Sequence, residues 1–315
     1  MNFEFATATR IVFGPGRMVE AGPIAAGWGR RVLLVRGSAA GRSDRLVQIL
    51  RNAGVEVLHH PVVREPTLDD AHAGADVARE AGVQGIIAFG GGSVLDAGKA
   101  IAALATNPGP PLRFVEVIGE AQPLNADPLP VLAIPTTAGT GAEVTRNAVL
   151  ASPKHQVKVS LRSPRMLPRV ALVDPDLTLD LPPALTASTG LDAITQLLEA
   201  LVSVRGNPLT ELLCRDGLVR AVSALPRAFS HGDDRAARAD MALAALYGGL
   251  ALANAGLGAV HGFAGPIGGR FPAAHGAVCA ALLAPVTAAN LEALQRRDPD
   301  GPGLLRYAEV RWLGR

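Results

Sequence analysis

The sequence predicts an α/β domain built on a parallel sheet, followed by an all-helical domain, and three observations predict it. Short apolar runs alternate with amphipathic helical segments through the first half. Beyond Asp174 the strand-like runs stop and Leu/Ala-rich helical periodicity continues to the end. The 315 residues, 49% of them hydrophobic, supply enough apolar material for two such cores.

Arg31 to Val35, Val55 to Val62, Val83 to Phe89, Val131 to Pro135 and Val170 to Val173 read as strands. Between them, Ser43 to Ala53, Leu68 to Glu80 and Ser93 to Leu104 have the length and apolar spacing of amphipathic helices, which makes the region a βαβ series. Pro/Gly-rich Asn107 to Pro111 and Pro123 to Pro130 are expected as loops, and Val157 to Leu161 as an extra edge strand or hairpin. Pro182-Pro183 mark the break, so the domains are expected over 1–180 and 181–315. In Leu191 to Val202 an apolar stripe of Leu191, Ile194, Leu198 and Leu201 is joined by a second line of Asp192, Gln196 and Glu199 at helical spacing. Met241 to Val260 carries no charge and is long enough to span a bilayer, but its four Gly and Asn254 fit a helix buried in a helical domain better. Gln295 to Gly303, rich in charge, Gly and Pro, is expected as a loop rather than a helix.

Charge and cysteine usage narrow the function. Lys+Arg 30 against Asp+Glu 28 leaves a net charge of +2, so no broad positive field recruits nucleic acid or an anionic membrane, and a small ligand is favoured. Cys214 and Cys279 show neither Cys-x-x-Cys nor Cys/His spacing and read as inert buried thiols in a reducing compartment. The start, MNFEFATATR, lacks a basic-then-apolar run, which makes the cytoplasm the expected location.

Three segments carry chemistry. Ile86 to Phe89 run into Gly90-Gly91-Gly92-Ser93 and a helix start, where exposed N–H groups and the helix dipole suit a pyrophosphate. Asp96 and Lys99 follow one and two turns on, as ligand contacts or as a solvated face. Pro135-Thr136-Thr137-Ala138-Gly139-Thr140-Gly141-Ala142-Glu143-Val144-Thr145 is a hydroxyl- and glycine-rich turn after a strand, suited to phosphate or ribose oxygens or simply to capping a helix. Asp192 and Gln196 lie one helical turn apart, and His261 and His275 flank a Gly/Pro-rich turn. The four together offer a donor set for a divalent transition metal, against the plainer reading of hydrogen-bonded core residues.

In order and separation these motifs resemble the iron-containing (group III) alcohol dehydrogenase family. Arg10-Ile11-Val12-Phe13-Gly14, Val173-Asp174-Pro175-Asp176-Leu177-Thr178, Gly190-Leu191-Asp192-Ala193 and Phe271-Pro272-Ala273-Ala274-His275-Gly276 add to the match. The resemblance implies a Rossmann-like domain, a helical domain, and a cleft holding NAD(P) and a metal, Fe²⁺ or Zn²⁺. It further implies hydride transfer between nicotinamide and a small alcohol or aldehyde. By that carry-over Gly91, Gly92, Ser93, Asp96, Thr136, Thr137, Thr140 and Lys158 bind the dinucleotide. Asp192, His261 and His275 act through the metal, with Gln196 as the fourth ligand.

The sequence departs from the family at four places. Gln196 stands where the family usually has a histidine ligand, and Gly265 where many relatives carry a histidine thought to assist proton transfer. Gly37 stands where NAD-preferring members often have an Asp; without that carboxylate a 2′-phosphate is not repelled, Arg36 or Arg42 is expected to receive it, and NADP is favoured over NAD. Relatives also continue for several more helices beyond Arg315, so the helical domain is expected to look truncated and to pair in a homo-oligomer, a dimer first. Other readings are a metal-independent maleylacetate-type reductase, a dehydroquinate-synthase-like cyclase, or a non-catalytic nucleotide-binding relative.

Overall fold

A computed structural model describes residues 2–271 and 273–313, so Pro272 of the motif above lies outside the described residues. The chain forms two compact units, one of Thr7–Thr136 with Ala142–Asp174, the other of residues 2–6, Thr137–Gly141 and residues 175–313.

The first unit is built on six parallel strands: β1 (Arg10–Phe13), β2 (Arg31–Gly37), β3 (Glu56–Val62), β4 (Gly85–Gly90), β5 (Val131–Pro135) and, after the hairpin below, Val170–Val173. With β6 (Asn147–Ser152) and β7 (Val157–Arg162) forming a separate antiparallel pair, that last strand is β8 and the sheet order is β1-β8-β5-β4-β2-β3. Buried on both faces, β4 and β5 read as unbroken apolar runs. Helices α1 (Ala21–Ala26), α2 (Asp44–Asn52), α3 (Leu68–Glu80) and α4 (Gly92–Thr106) supply the rest of this core, with Leu33, Ile86, Ile101 and Leu104 at its centre.

The helix bounds follow local signals. Thr67 caps α3 in a reciprocal box with Asp70, so that helix starts where the sequence places it. Chain direction then fixes where a ligand fits. From β2 the chain leads through α2 to β3 on one side, and from β4 through α4 to β5 on the other. The switch point of the sheet therefore lies outside the carboxyl ends of β2 and β4, at Gly37 and Gly90.

The second unit contains α5 (Pro183–Leu201), α6 (Pro208–Ser230), α7 (Arg235–Ala255), α8 (Ala259–Arg270), α9 (His275–Arg297) and α10 (Pro302–Leu313). Its core gathers Leu197, Leu201, Cys214, Leu218, Met241 and Ala245 where α5, α6 and α7 pack. The uncharged stretch Met241 to Val260 is not one straight helix. Gly256, at φ 68°, ends α7, and α8 leaves at 99° to it. The segment expected as a loop over Gln295 to Gly303 corrects to a shorter break, because α9 continues through Arg297 and Pro302 opens α10.

Candidate functional site

In the second unit, α5 carries Asp192, α8 carries His261 near its start, and α9 opens with His275 and brings Cys279 onto the same face one turn later. One donor atom from each of the four lies within 4.8 Å of all the others. His261 Nε2 is 3.4 Å and His275 Nε2 3.6 Å from Asp192 Oδ1. Cys279 Sγ is 3.8 Å from His261 Nε2 and 3.7 Å from His275 Nε2.

Two glycines permit this approach. A Cβ at Gly276 would lie 2.2 Å from the Ser188 carbonyl oxygen, so only glycine lets the start of α9 close on α5. A Cβ at Gly258 would lie 2.8 Å from Glu199 Oε1, where the entry to α8 wraps a carboxylate.

That carboxylate sets the orientation of His261. Glu199 accepts from the Val260 N–H at 2.7 Å, the His261 N–H at 3.4 Å and the His261 ring Nδ1 at 2.7 Å. Burial alone would push the Glu199 pKa up, but these donors hold it below the usual carboxylate value, so the ion is the acceptor. Nδ1 therefore keeps its hydrogen and Nε2 is turned toward Asp192 and Cys279. Burial disfavours imidazolium at His261, yet the Asp192, Cys279 and Glu199 side chains override it and lift its pKa to about 11, so a metal at Nε2 would have to displace a proton there. At Cys279 burial pushes the thiol pKa up, while His261 pulls the other way.

Asp192 is 2% exposed, and its Oδ1 is buried with no hydrogen-bond partner among the described residues. A buried orphan carboxylate oxygen facing two imidazoles is costly unless a cation completes it, and this donor set fits a divalent transition metal. His275, with 39% of its side chain exposed, leaves one side of the cluster open.

Gln196 is one turn from Asp192 and buried, with its Nε2 donating to the Gly139 carbonyl at 3.1 Å. Thr137 and Thr140 belong to this unit as well, whereas Thr136 belongs to the first.

In the first unit, α4 begins at Gly92 with Gly91 extended at its N-cap and no side chain capping it. Ser93 is exposed and Gly91 and Gly92 half-buried. Gly90 pairs with Pro135 in register, and the Thr136 N–H donates to the Gly90 carbonyl at 2.9 Å, so this glycine turn leaves the sheet beside Thr136. First-turn N–H groups without a side-chain cap, beside the sheet's switch point, fit a pyrophosphate.

Asp96 and Lys158 are already engaged. Asp96 Oδ2 accepts from the Val149 N–H at 3.0 Å and its Oδ1 is 2.9 Å from Lys99 Nζ. Lys99, fully buried, also donates to the Ala142 carbonyl and Thr145 Oγ1, each at 2.9 Å. Lys158 Nζ lies 2.5 Å from Glu65 Oε1. Gly265 leaves open space, since a Cβ there meets nothing within 4 Å.

Sequence reasoning missed Cys279 and the role of Glu199. The signal for Cys279 was its i+4 spacing from His275, and for Glu199 its place on the polar line of α5.

The chain matches known proteins along most of its length. Residues 8–175 match the model for "iron-containing alcohol dehydrogenase", and residues 186–303 that for "Fe-containing alcohol dehydrogenase family, C-terminal". The chain is 37% identical over 259 residues to alcohol dehydrogenase 4 of Saccharomyces cerevisiae strain YJM789, a match covering 81% of this chain and 66% of the yeast protein, just under two thirds. It superimposes on 1,3-propanediol oxidoreductase with a TM-score of 0.90 and 34% identity, covering all of this chain and 80% of that one. It also superimposes on sulfoacetaldehyde reductase from Bifidobacterium kashiwanohense in complex with NAD⁺, with a TM-score of 0.85 and 26% identity, covering 100% of this chain and 86% of that one.

Proposed function

Because the chain belongs to the iron-containing alcohol dehydrogenase family, we propose that it is a metal-assisted, NAD(P)-dependent alcohol dehydrogenase or carbonyl reductase acting on a small alcohol or aldehyde. The observation that carries this reading is the orphaned, buried Asp192 Oδ1 facing His261 and His275. Asp192, His261 and His275 would hold the metal, and Gln196, one turn from Asp192 on α5, is the fourth donor that the family resemblance implies. When bound, such a metal polarises a carbonyl oxygen or lowers the pKa of an alcohol, while hydride exchanges with the nicotinamide.

The residues of this chain have separate tasks. Glu199 fixes the tautomer of His261, so that Nε2 stays available as a donor. Buried Asp192 places a negative charge at the centre of the cluster. The exposed side of His275 supports substrate entry there. Gly91, Gly92 and Ser93 would receive the pyrophosphate at the start of α4, with Thr136, Thr137 and Thr140 supplying further donors. Asp96 and Lys158, with their polar atoms engaged within the fold, would act on the dinucleotide chiefly by shaping the wall of its site.

NADP is favoured over NAD. Gly37 ends β2 without a carboxylate to repel a 2′-phosphate, and the Arg36 guanidinium is beside it, donating to the Gly37 carbonyl at 2.9 Å. The cytoplasm remains the proposed compartment and a homodimer the proposed assembly. The exposed rings of Phe263 and Phe271, at and just after α8, support pairing.

Elemental analysis tests the proposal. After incubation with Fe²⁺ or Zn²⁺, protein purified without chelator is expected to hold one metal per chain, and the His261→Ala/His275→Ala variant none. Equal metal content in the two proteins would overturn the assignment.

A further inference from the structure

Cys279 is fully buried at the metal cluster, yet none of the roles assigned above uses it. Its thiol is one turn from His275 on α9 and faces both imidazole Nε2 atoms. The position of the fourth donor that Gln196 occupies in sequence is weakly served. That side chain is neutral, and its Nε2 is directed to the Gly139 carbonyl.

We propose that Cys279 Sγ, as the thiolate, is a protein donor to the metal centre, which is thereby formed by Asp192, His261, His275 and Cys279. The proposal rests on the reading that this cluster holds a metal.

The distances between donors carry the argument. Around a tetrahedral zinc, ordinary bond lengths place oxygen and nitrogen donors about 3.4 Å apart and sulfur and nitrogen donors about 3.6 Å apart. Asp192 Oδ1 stands 3.4 and 3.6 Å from the two imidazole nitrogens, and Cys279 Sγ 3.8 and 3.7 Å from the same two atoms. Four donors from three helices thus already stand near the edge lengths of one coordination polyhedron. Charge agrees with distance, since a carboxylate and a thiolate together match a divalent cation, whereas a carboxylate and an amide leave a buried excess of positive charge. Binding releases the thiol proton to solvent as the sulfur–metal bond forms, with no change of oxidation state. Zinc accepts a fifth ligand, so four protein donors do not bar a substrate.

Cobalt(II) reports the donor directly, because thiolate coordination gives a charge-transfer absorption in the near ultraviolet that oxygen and nitrogen donors do not. Chelator-treated full-length protein titrated with Co²⁺ is expected to bind one equivalent and develop this band. The chain has only two cysteines, so the band in a Cys214→Ser variant assigns it to Cys279 even if a Cys279 variant fails to fold. Where Cys279→Ser folds, the band should vanish and Co²⁺ affinity should fall at least tenfold, while Gln196→Ala should keep the band. Stoichiometric Co²⁺ binding without the band, or a band retained in Cys279→Ser, overturns the thiolate donor and leaves the metal reading intact. Absence of Co²⁺ binding overturns both.

Discussion

Glu199 Oε2 lies 2.7 Å from His261 Nδ1, and the same carboxylate also takes the Val260 N–H at the entry to α8. One side chain of α5 therefore anchors the start of α8 and aims its imidazole. Glu199→Gln preserves shape but offers an amide that can turn its N–H toward Nδ1, so the tautomer is no longer enforced. Metal affinity is expected to fall about 10- to 100-fold, as for other partners that orient a ligating histidine. Isothermal titration with Zn²⁺ would measure it, and an unchanged affinity would show that Glu199 only anchors the backbone.

The metal is also expected to hold α8 and α9 in place. These helices bury little of their own, with Val260 and Ala264 on α8 and Gly276 and Cys279 on α9. A ligand bound at a hundred times its Kd adds about 2.7 kcal/mol of stability, and here that stabilisation falls on donors from both helices. Chelation should lower Tm and raise amide hydrogen exchange in residues 259–297 before it does so in the α/β unit. Uniform exchange across both units would contradict this.

Glu143 is 2% exposed, and burial raises its pKa to about 7 despite Lys99 nearby. The sign follows from the raised value. Ionising this carboxyl is harder in the folded chain than in the unfolded one, so stability is lost as pH climbs from the ordinary carboxyl range through about 7, and the loss is complete above it. Glu143→Gln should be stabilising at pH 8 by on the order of 2–3 kcal/mol and lose that advantage near pH 4. Urea unfolding at the two pH values separates this from a pH-independent packing effect.

Gly37 bears on cofactor choice. A Cβ there meets nothing within 4 Å, so Gly37→Asp is sterically free. Its carboxylate would repel a 2′-phosphate and accept from ribose hydroxyls, and the ratio of kcat/KM for NADPH over NADH should fall at least tenfold, about 1.4 kcal/mol. An unchanged ratio would place the ribose elsewhere.

The sheet and most helices were legible because their signals are local. Val131–Pro135 is a short apolar run bounded by prolines, and Leu68–Glu80 opens on a Thr67/Asp70 cap. Asp192, His261 and His275 were legible as a possible donor set from residue type alone, and more firmly from the order of the surrounding motifs. Cys279 was not, because a cysteine among alanines on an apolar helix looks like core. Only the approach of α8, whose His261 is 18 residues away, reveals its second neighbour. The hydrogen bond from Gln196 to Gly139 spans 57 residues and leaves no periodic trace. Likewise the partners of Asp96 and Lys158, Val149 and Glu65, lie far off in sequence, so their engagement within the fold was invisible before the sheet and hairpin were placed.

Nicotinamide turnover tests the central claim most directly. Metal-loaded protein, supplied with NADPH or NADH and a panel of small aldehydes, is followed by loss of reduced-nicotinamide absorbance beside an Asp192→Ala control. The account predicts oxidation of the nicotinamide by at least one aldehyde in the native chain, with loss of at least a hundredfold in the control. Nucleotide binding without turnover across the panel, or equal rates in the two proteins, would contradict it.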